Sequence, residues 1–208
     1  MKRLIQVSTL VLAITGAAFG QDQSKVTNTP HNLNNGGWGI SVSTPSGANQ
    51  VCLPCHVPHN AYPDESGTIN DVLWNHQETA VAFTMYPTDL PQSNQPEGAS
   101  KMCLSCHDGV TAIDSYGGTT GTVTLAGRPS AIGENGDLTD DHPIGVTYPT
   151  GADGYHNPAN FTGVVLVTVG GDDRVECTSC HDPHNNALGA FLRRTLDESL
   201  LCLECHDK

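Results

Sequence analysis

Apolar positions run together at the start of this chain and are thin everywhere else. From Leu4 to Phe19 the chain is mostly apolar, behind Lys2 and Arg3, and it closes on the small residues Ala18 and Gly20. That is the pattern of a secretory leader cut before Gln21, and it is too short for a membrane span. Residues 1–20 are therefore expected to be a signal peptide and residues 21–208 one exported domain. No cysteine lies at the cut to take a lipid, and no later segment is apolar enough to cross a bilayer. Beyond the leader the pattern predicts only short elements. Ser100 is placed to cap a helix running into residues 103–107. Thr195, three residues ahead of Glu198, reads as a capping box opening a helix under the last cysteine pair. Residues 71–78 read as a third short helix. The β-branched run at 164–169, bounded by glycine, predicts a strand, with residues 121–127 as its partner. Residues 36–47 are a Gly/Ser/Thr-rich loop, and residues 87–98, with three prolines, a linker. The acidic stretch at 135–141 lacks the ligand spacing of a calcium loop and predicts a solvated turn. The fold class is thus mostly irregular chain with a few short α-helices and little β.

Composition sharpens the difficulty. Leu, Ile, Val and Phe make up fewer than a fifth of residues 21–208, and the formal net charge is −13. An ordinary chain of that composition does not fold. Something other than its side chains must supply the core. Nine Lys and Arg against 22 Asp and Glu also exclude nucleic acid as a partner, because phosphate neutralisation needs clustered cations.

The cysteines answer the difficulty. All eight fall in C-x-x-C pairs, and each pair is followed at once by histidine: Cys52, Cys55 and His56; Cys103, Cys106 and His107; Cys177, Cys180 and His181; Cys202, Cys205 and His206. C-x-x-C-H is the attachment motif of haem c. Two thiols at this spacing add to the two vinyl groups of a porphyrin, and the adjacent histidine lies under the iron as proximal ligand. Disulfides, zinc tetrads and a thioredoxin-like redox pair are the rival uses of such cysteines, and none requires a histidine directly after the second thiol. Four haem c groups also bring the missing apolar surface, at roughly 25 cal/mol per Å² buried, so the haem-free chain is expected to be largely unfolded.

Six further histidines are available for the distal faces: His31, His59, His76, His142, His156 and His184. His59 and His184 each follow a proximal histidine by three residues in the repeated string H-x-P-H-N. Neither can wrap round its own haem, but each can reach a second haem packed close by. His184 is assigned on this reading to the haem of Cys202 and Cys205, and His59 to that of Cys103 and Cys106. His142 follows Asp140 and Asp141, whose carboxylates could orient its ring. His31 completes the candidate set of His31, His59, His142 and His184, with His76, on an expected helical turn, and then His156 as alternates. Of the methionines, Met102 abuts Cys103, and Met85 reads as packing.

In order, His31-Asn32-Leu33, CLPCHVPHN at 52–60, Leu73-Trp74-Asn75, CLSCHDG at 103–109, Asp141-His142-Pro143-Ile144, CTSCHDPHN at 177–185 and CLECHDK at 202–208 resemble the doubled C-x-x-C-H multihaem c-type cytochromes. In length and motif count the chain is similar to the tetrahaem outer-membrane cytochrome E type. The resemblance implies an electron carrier rather than an enzyme, organised around four haems. It further implies assembly with other copies of itself into an extracellular filament, with a histidine of one subunit able to ligate a haem of the next. Other redox proteins or extracellular electron acceptors would be the remaining partners. Location is then the outer cell surface or beyond, with the periplasm as alternative. Two other functions stay open on the sequence: a monomeric periplasmic shuttle, and a multihaem reductase with an open iron site. Bis-histidine ligation without methionine predicts low potentials, and the acidic surface predicts salt-sensitive docking to cationic partners.

Overall fold

The computed structural model describes residues 25–35, 37–42, 50–61 and 72–207. The expected leader at 1–20, half of the loop at 36–47 and Asp71 at the head of the expected third helix lie outside them. The described chain is mostly irregular, with a few short helices and one small sheet. Helix α1 spans Gly98–His107 and carries the second motif. Strand β1 is Val146–Thr147, β2 Val167–Val169 and β3 Asp172–Val175, and α2, a single turn at Cys177–Cys180, carries the third motif.

The sheet order is β1-β3-β2, antiparallel throughout. Val146 faces Val175, and Thr147 and Val167 flank Arg174 on either side. The β2–β3 hairpin turns on Gly170 and Gly171 at φ +63° and +95°, the two-glycine turn whose twist matches that of paired strands. The strand expected at 164–169 is therefore shorter, and its partner is β3. Val123 in the 121–127 segment instead accepts the Ile113 N–H at 2.8 Å. A local hairpin costs less loop entropy than the distant pairing.

Residues 74–79 are extended, not helical, and follow a 3-10 residue at Val72 and a turn at Leu73. Antiparallel bridges join Trp74 to His56 and His76 to Tyr116. Leu73 has φ +52°, its carbonyl accepts Val57 N–H at 3.0 Å, and Asn75 N–H donates to Cys55 O at 3.0 Å. The first motif thus satisfies its backbone across this segment, and tertiary pairing overrides a weak helical tendency. The expected linker at 87–98 is tied down as well: Thr147 N–H donates to Pro91 O, and Ser93 N–H to Gly145 O, at 2.8 and 2.9 Å. The Gln95 amide brackets Phe83, taking its N–H and giving to its C=O, both at 2.8 Å. At 135–141 the turn is only partly solvated, since Leu138 is 2% exposed. Leu138 closes a cluster of buried apolar residues, with Phe83 and Leu104 of α1; Val81, Met85 and Ile144 pack against it. Met85 is packing, as its setting suggested.

Two expected caps differ. Ser100 lies inside the first turn of α1, and Glu97 is the capping position. Thr195 makes a side-chain turn, accepting Asp197 N–H at 3.1 Å. No α-helix follows it. Glu198 and Ser199 have positive φ, and the fourth motif sits on the 3-10 turn Cys202–Glu204. Among the described residues no helix is long and apolar enough to cross a membrane.

Candidate haem sites

Each motif opens on a tight turn in which the histidine N–H returns to the first cysteine's carbonyl: His56 to Cys52, His181 to Cys177 and His206 to Cys202, at 2.9 to 3.0 Å. The second motif makes its turn within α1. Three of the four motif rings are then held from one side. Nδ1 of His56 donates to Val72 O at 2.5 Å, that of His107 to Ser130 O at 2.6 Å, and that of His181 to Ala190 O at 2.7 Å. A ring anchored through Nδ1–H to a carbonyl presents Nε2 as a lone-pair donor, which is how proteins prepare a metal-binding imidazole.

Two imidazole pairs face one another. The His56 and His184 ring centres are 6.1 Å apart at 20° between planes, and those of His31 and His107 are 6.2 Å apart at 63°. Imidazoles gripping one metal from opposite sides, at about 2.0 Å each, bring their ring centres to about 6 Å. These two spacings therefore fit an iron between the rings. His31 is fixed for that position by Pro183 O at 3.1 Å from Nδ1 and by stacking on Phe191, with centroids at 4.1 Å. Burial lowers its pKa, so the ring stays neutral and able to bind metal. His184 carries Nδ1 3.6 Å from Asp182 Oδ1.

The other candidates are placed as follows. His59 is exposed, with Nδ1 3.1 Å from the Asn60 amide nitrogen. His142 is exposed, and its Nδ1 meets Pro143 O at 3.1 Å rather than the neighbouring carboxylates expected to orient it. His76 is 1% exposed; Nδ1 donates to Gln77 O at 2.8 Å, and Nε2 faces Cys106 Sγ at 3.5 Å. It belongs to extended chain, not to the helical turn expected. His156 is half-buried beside the fourth motif, its N–H on Cys205 O at 2.9 Å. The Tyr148 hydroxyl donates to the His156 and Cys205 carbonyls, at 2.7 and 3.0 Å.

The eight cysteines are free thiols, and they follow one another in space as in sequence. Cys55 adds its charge to the field at Cys103 and Cys106, the Cys103 thiol hydrogen-bonds Cys177, and Cys180 feels Cys202. Burial pushes the Cys55 and Cys205 thiols up to about 11, and the hydrogen bond with Cys177, together with burial, also raises that of Cys103. Among the described residues no group of three or more His, Cys, Asp or Glu is gathered as a metal site, so the zinc reading finds no preformed tetrad. Around the motifs lie exposed apolar side chains: Val72 and Leu73 by His56, Val110 and Ile132 by His107, Leu196 and Leu203 by the fourth motif. Exposed apolar surface at these three motifs fits a porphyrin that would cover it.

Three supporting carboxylates escaped sequence reasoning. Asp108 is fully buried and takes four donors: Thr79 Oγ1 at 2.6 Å, Thr111 Oγ1 at 2.7 Å, and the Val110 and Thr111 N–H groups at 2.8 and 2.7 Å. Glu204, inside the fourth motif, binds the Thr162 N–H and hydroxyl, both at 2.7 Å, and pairs with Arg194. Glu176 lies buried ahead of the third motif. The only signal for the first was the repeated Cys-His-Asp at 106–108, 180–182 and 205–207.

Residues 169–208, which hold the third and fourth motifs, match the family model described as a doubled CXXCH motif. That match supports a multihaem c-type cytochrome, with covalent haem c at the doubled motifs and electron transfer as the function of the class. No curated protein matches the chain.

Proposed function

We propose that this chain carries electrons through four covalently bound haem c groups, each held by two histidines, as a subunit of an extracellular cytochrome filament. The observation that carries the electron-transfer reading is the pair of facing imidazoles at 6.1 and 6.2 Å. On this reading His56 and His184 hold the iron at Cys52 and Cys55, and His107 and His31 hold that at Cys103 and Cys106. This revises the assignment drawn from spacing, which set His184 against the fourth motif and His59 against the second. His181 and His206 are the proximal ligands of the other two irons, with His59 and His142, then His76 and His156, to complete them.

When bound, haem iron supplies one-electron exchange between its ferrous and ferric states. The protein's own part is to keep both axial positions filled, so that no ligand changes during transfer. The backbone carbonyls on Nδ1 hold the rings in orientation, and the run of neighbouring thiols from Cys55 to Cys205 favours a path through the motifs in sequence order. With both faces closed by imidazole, substrate has no open position, which favours a carrier over a reductase. Exposed His59 and His142 are suited to reach a neighbouring copy, which supports assembly, as does the resemblance to filament-forming cytochromes.

Pyridine-haemochrome quantitation with low-temperature EPR tests the core of this. Four low-spin haems per chain are expected, with different signals from a near-parallel and a steeply crossed imidazole pair. In the His184→Ala chain one centre becomes high-spin and binds carbon monoxide after reduction. An unchanged spectrum refutes the His56–His184 assignment. Negative-stain images of secreted material test the filament; a species that stays monomeric at high concentration refutes it.

A further inference from the structure

Glu176 is 1% exposed, and its Oε1 is buried with no hydrogen-bond partner. Oε2 accepts the Ser100 hydroxyl of α1, and the carboxyl also accepts the Ser179 N–H in the capping box of α2. That hydroxyl in turn accepts the Cys177 N–H at 3.0 Å, and Ser179 Oγ accepts the Glu176 N–H at 2.9 Å. The carboxyl is therefore clamped where α1 meets α2, beside the contact of the Cys103 and Cys177 thiols. The charged groups around it are few. Arg174 comes from β3, bound to Glu97 at 2.9 Å and to the Ser93 hydroxyl, with Asp172 at 3.7 Å from the guanidinium. Glu97 comes from the head of α1, its side chain 44% exposed. Burial drives the carboxyl upward, opposed by Ser100 and Arg174 and aided by Glu97.

An enclosed oxygen with no donor is far costlier as an anion than as an acid. What would stabilise the anion is added positive charge nearby. On the electron-transfer reading, on which this rests, two irons are attached on either side of this junction, and each is one charge more positive when ferric. We propose that Glu176 is the chain's redox-linked proton site, taking up one proton as the haems at the second and third motifs are reduced and releasing it as they are oxidised. The electron comes from a low-potential one-electron donor and the proton from solvent; iron(III) becomes iron(II), and the only bond made is the carboxyl O–H. The Arg174–Glu97–Ser93 array leads from the junction toward the half-exposed Glu97 at the surface.

The test uses the haem-loaded full chain reduced with dithionite. Redox-difference infrared spectra are expected to show a protonated-carboxyl band in the reduced state that shifts in D2O and is lost in Glu176→Gln, which can still accept from Ser100. Haem midpoints should fall as pH rises in the wild type, with that slope reduced in the variant. A band or a slope unchanged in Glu176→Gln overturns the assignment. Should the variant not fold, wild-type proton uptake on reduction, followed with an indicator dye, decides it: uptake supports the site and no uptake overturns it. A chain purified without haem c overturns both this and the electron-transfer reading, whereas a haem-loaded chain with no redox-linked carboxyl band overturns this alone.

Discussion

Asp108 shows how much of a haem motif's rigidity comes from residues outside it. Directly after His107, it gathers two hydroxyls and two backbone N–H groups and leaves none of them to water. Asp108→Ala strands these donors in a buried site, at a cost of about 3 kcal/mol. Chemical denaturation of the haem-loaded protein checks this, and a loss under about 1 kcal/mol would refute the role. The repeated aspartate after the motif histidine was visible along the chain. Its duty was not, because Thr79 comes from a segment some thirty residues earlier that only folding brings to it. The histidines divide the same way. The four that directly follow C-x-x-C were visible along the chain, while the ring that His56 or His107 faces depended on tertiary geometry: His31 lies far from His107 in sequence, and His184 farther from His56.

At the scale of elements, α1 was legible because a run of helix-tolerant residues, Gly98–His107, lacks proline and ends at the Asp108-Gly109 turn. The turn at Leu73 and the extended segment at 74–79 were not legible, because nothing in their composition records that the first motif needs their carbonyls and N–H groups. The turn at 133–138 is a second case. Gly136 has φ +76°, and a Cβ there would lie 2.5 Å from the Ala82 carbonyl oxygen, at the point where Thr84 N–H donates to Gly136 O at 2.7 Å. Gly136→Ala is expected to cost about 2 kcal/mol or more, from left-handed strain and displaced backbone together. A thermal midpoint equal to wild type would contradict that placement.

At the scale of the molecule, the one buried apolar cluster among the described residues, of three side chains, cannot offset the conformational entropy of a chain this long. The rest is stitched by isolated bridges and by side-chain caps on backbone groups. The haem-loaded chain should therefore show a cooperative thermal transition. A chain expressed without haem, or with all eight cysteines replaced by alanine, should give far-ultraviolet dichroism and amide NMR dispersion of an unfolded polypeptide. A cooperative transition in the haem-free chain would mean the side chains suffice after all.

The amino-acid sequence by itself determined the chemistry: thiol pairs at fixed spacing with an adjoining imidazole are a local pattern, and local spacing is written directly along the chain. It also determined that little regular structure would form, since the apolar residues are too few and too scattered to specify long helices or sheets. Only the tertiary structure decided which histidine faces which, that the thiols follow one another in space in sequence order, and that a carboxyl lies buried where α1 meets α2. Those are contacts between residues tens of positions apart, selected by the packing of the entire chain, and no local period encodes them.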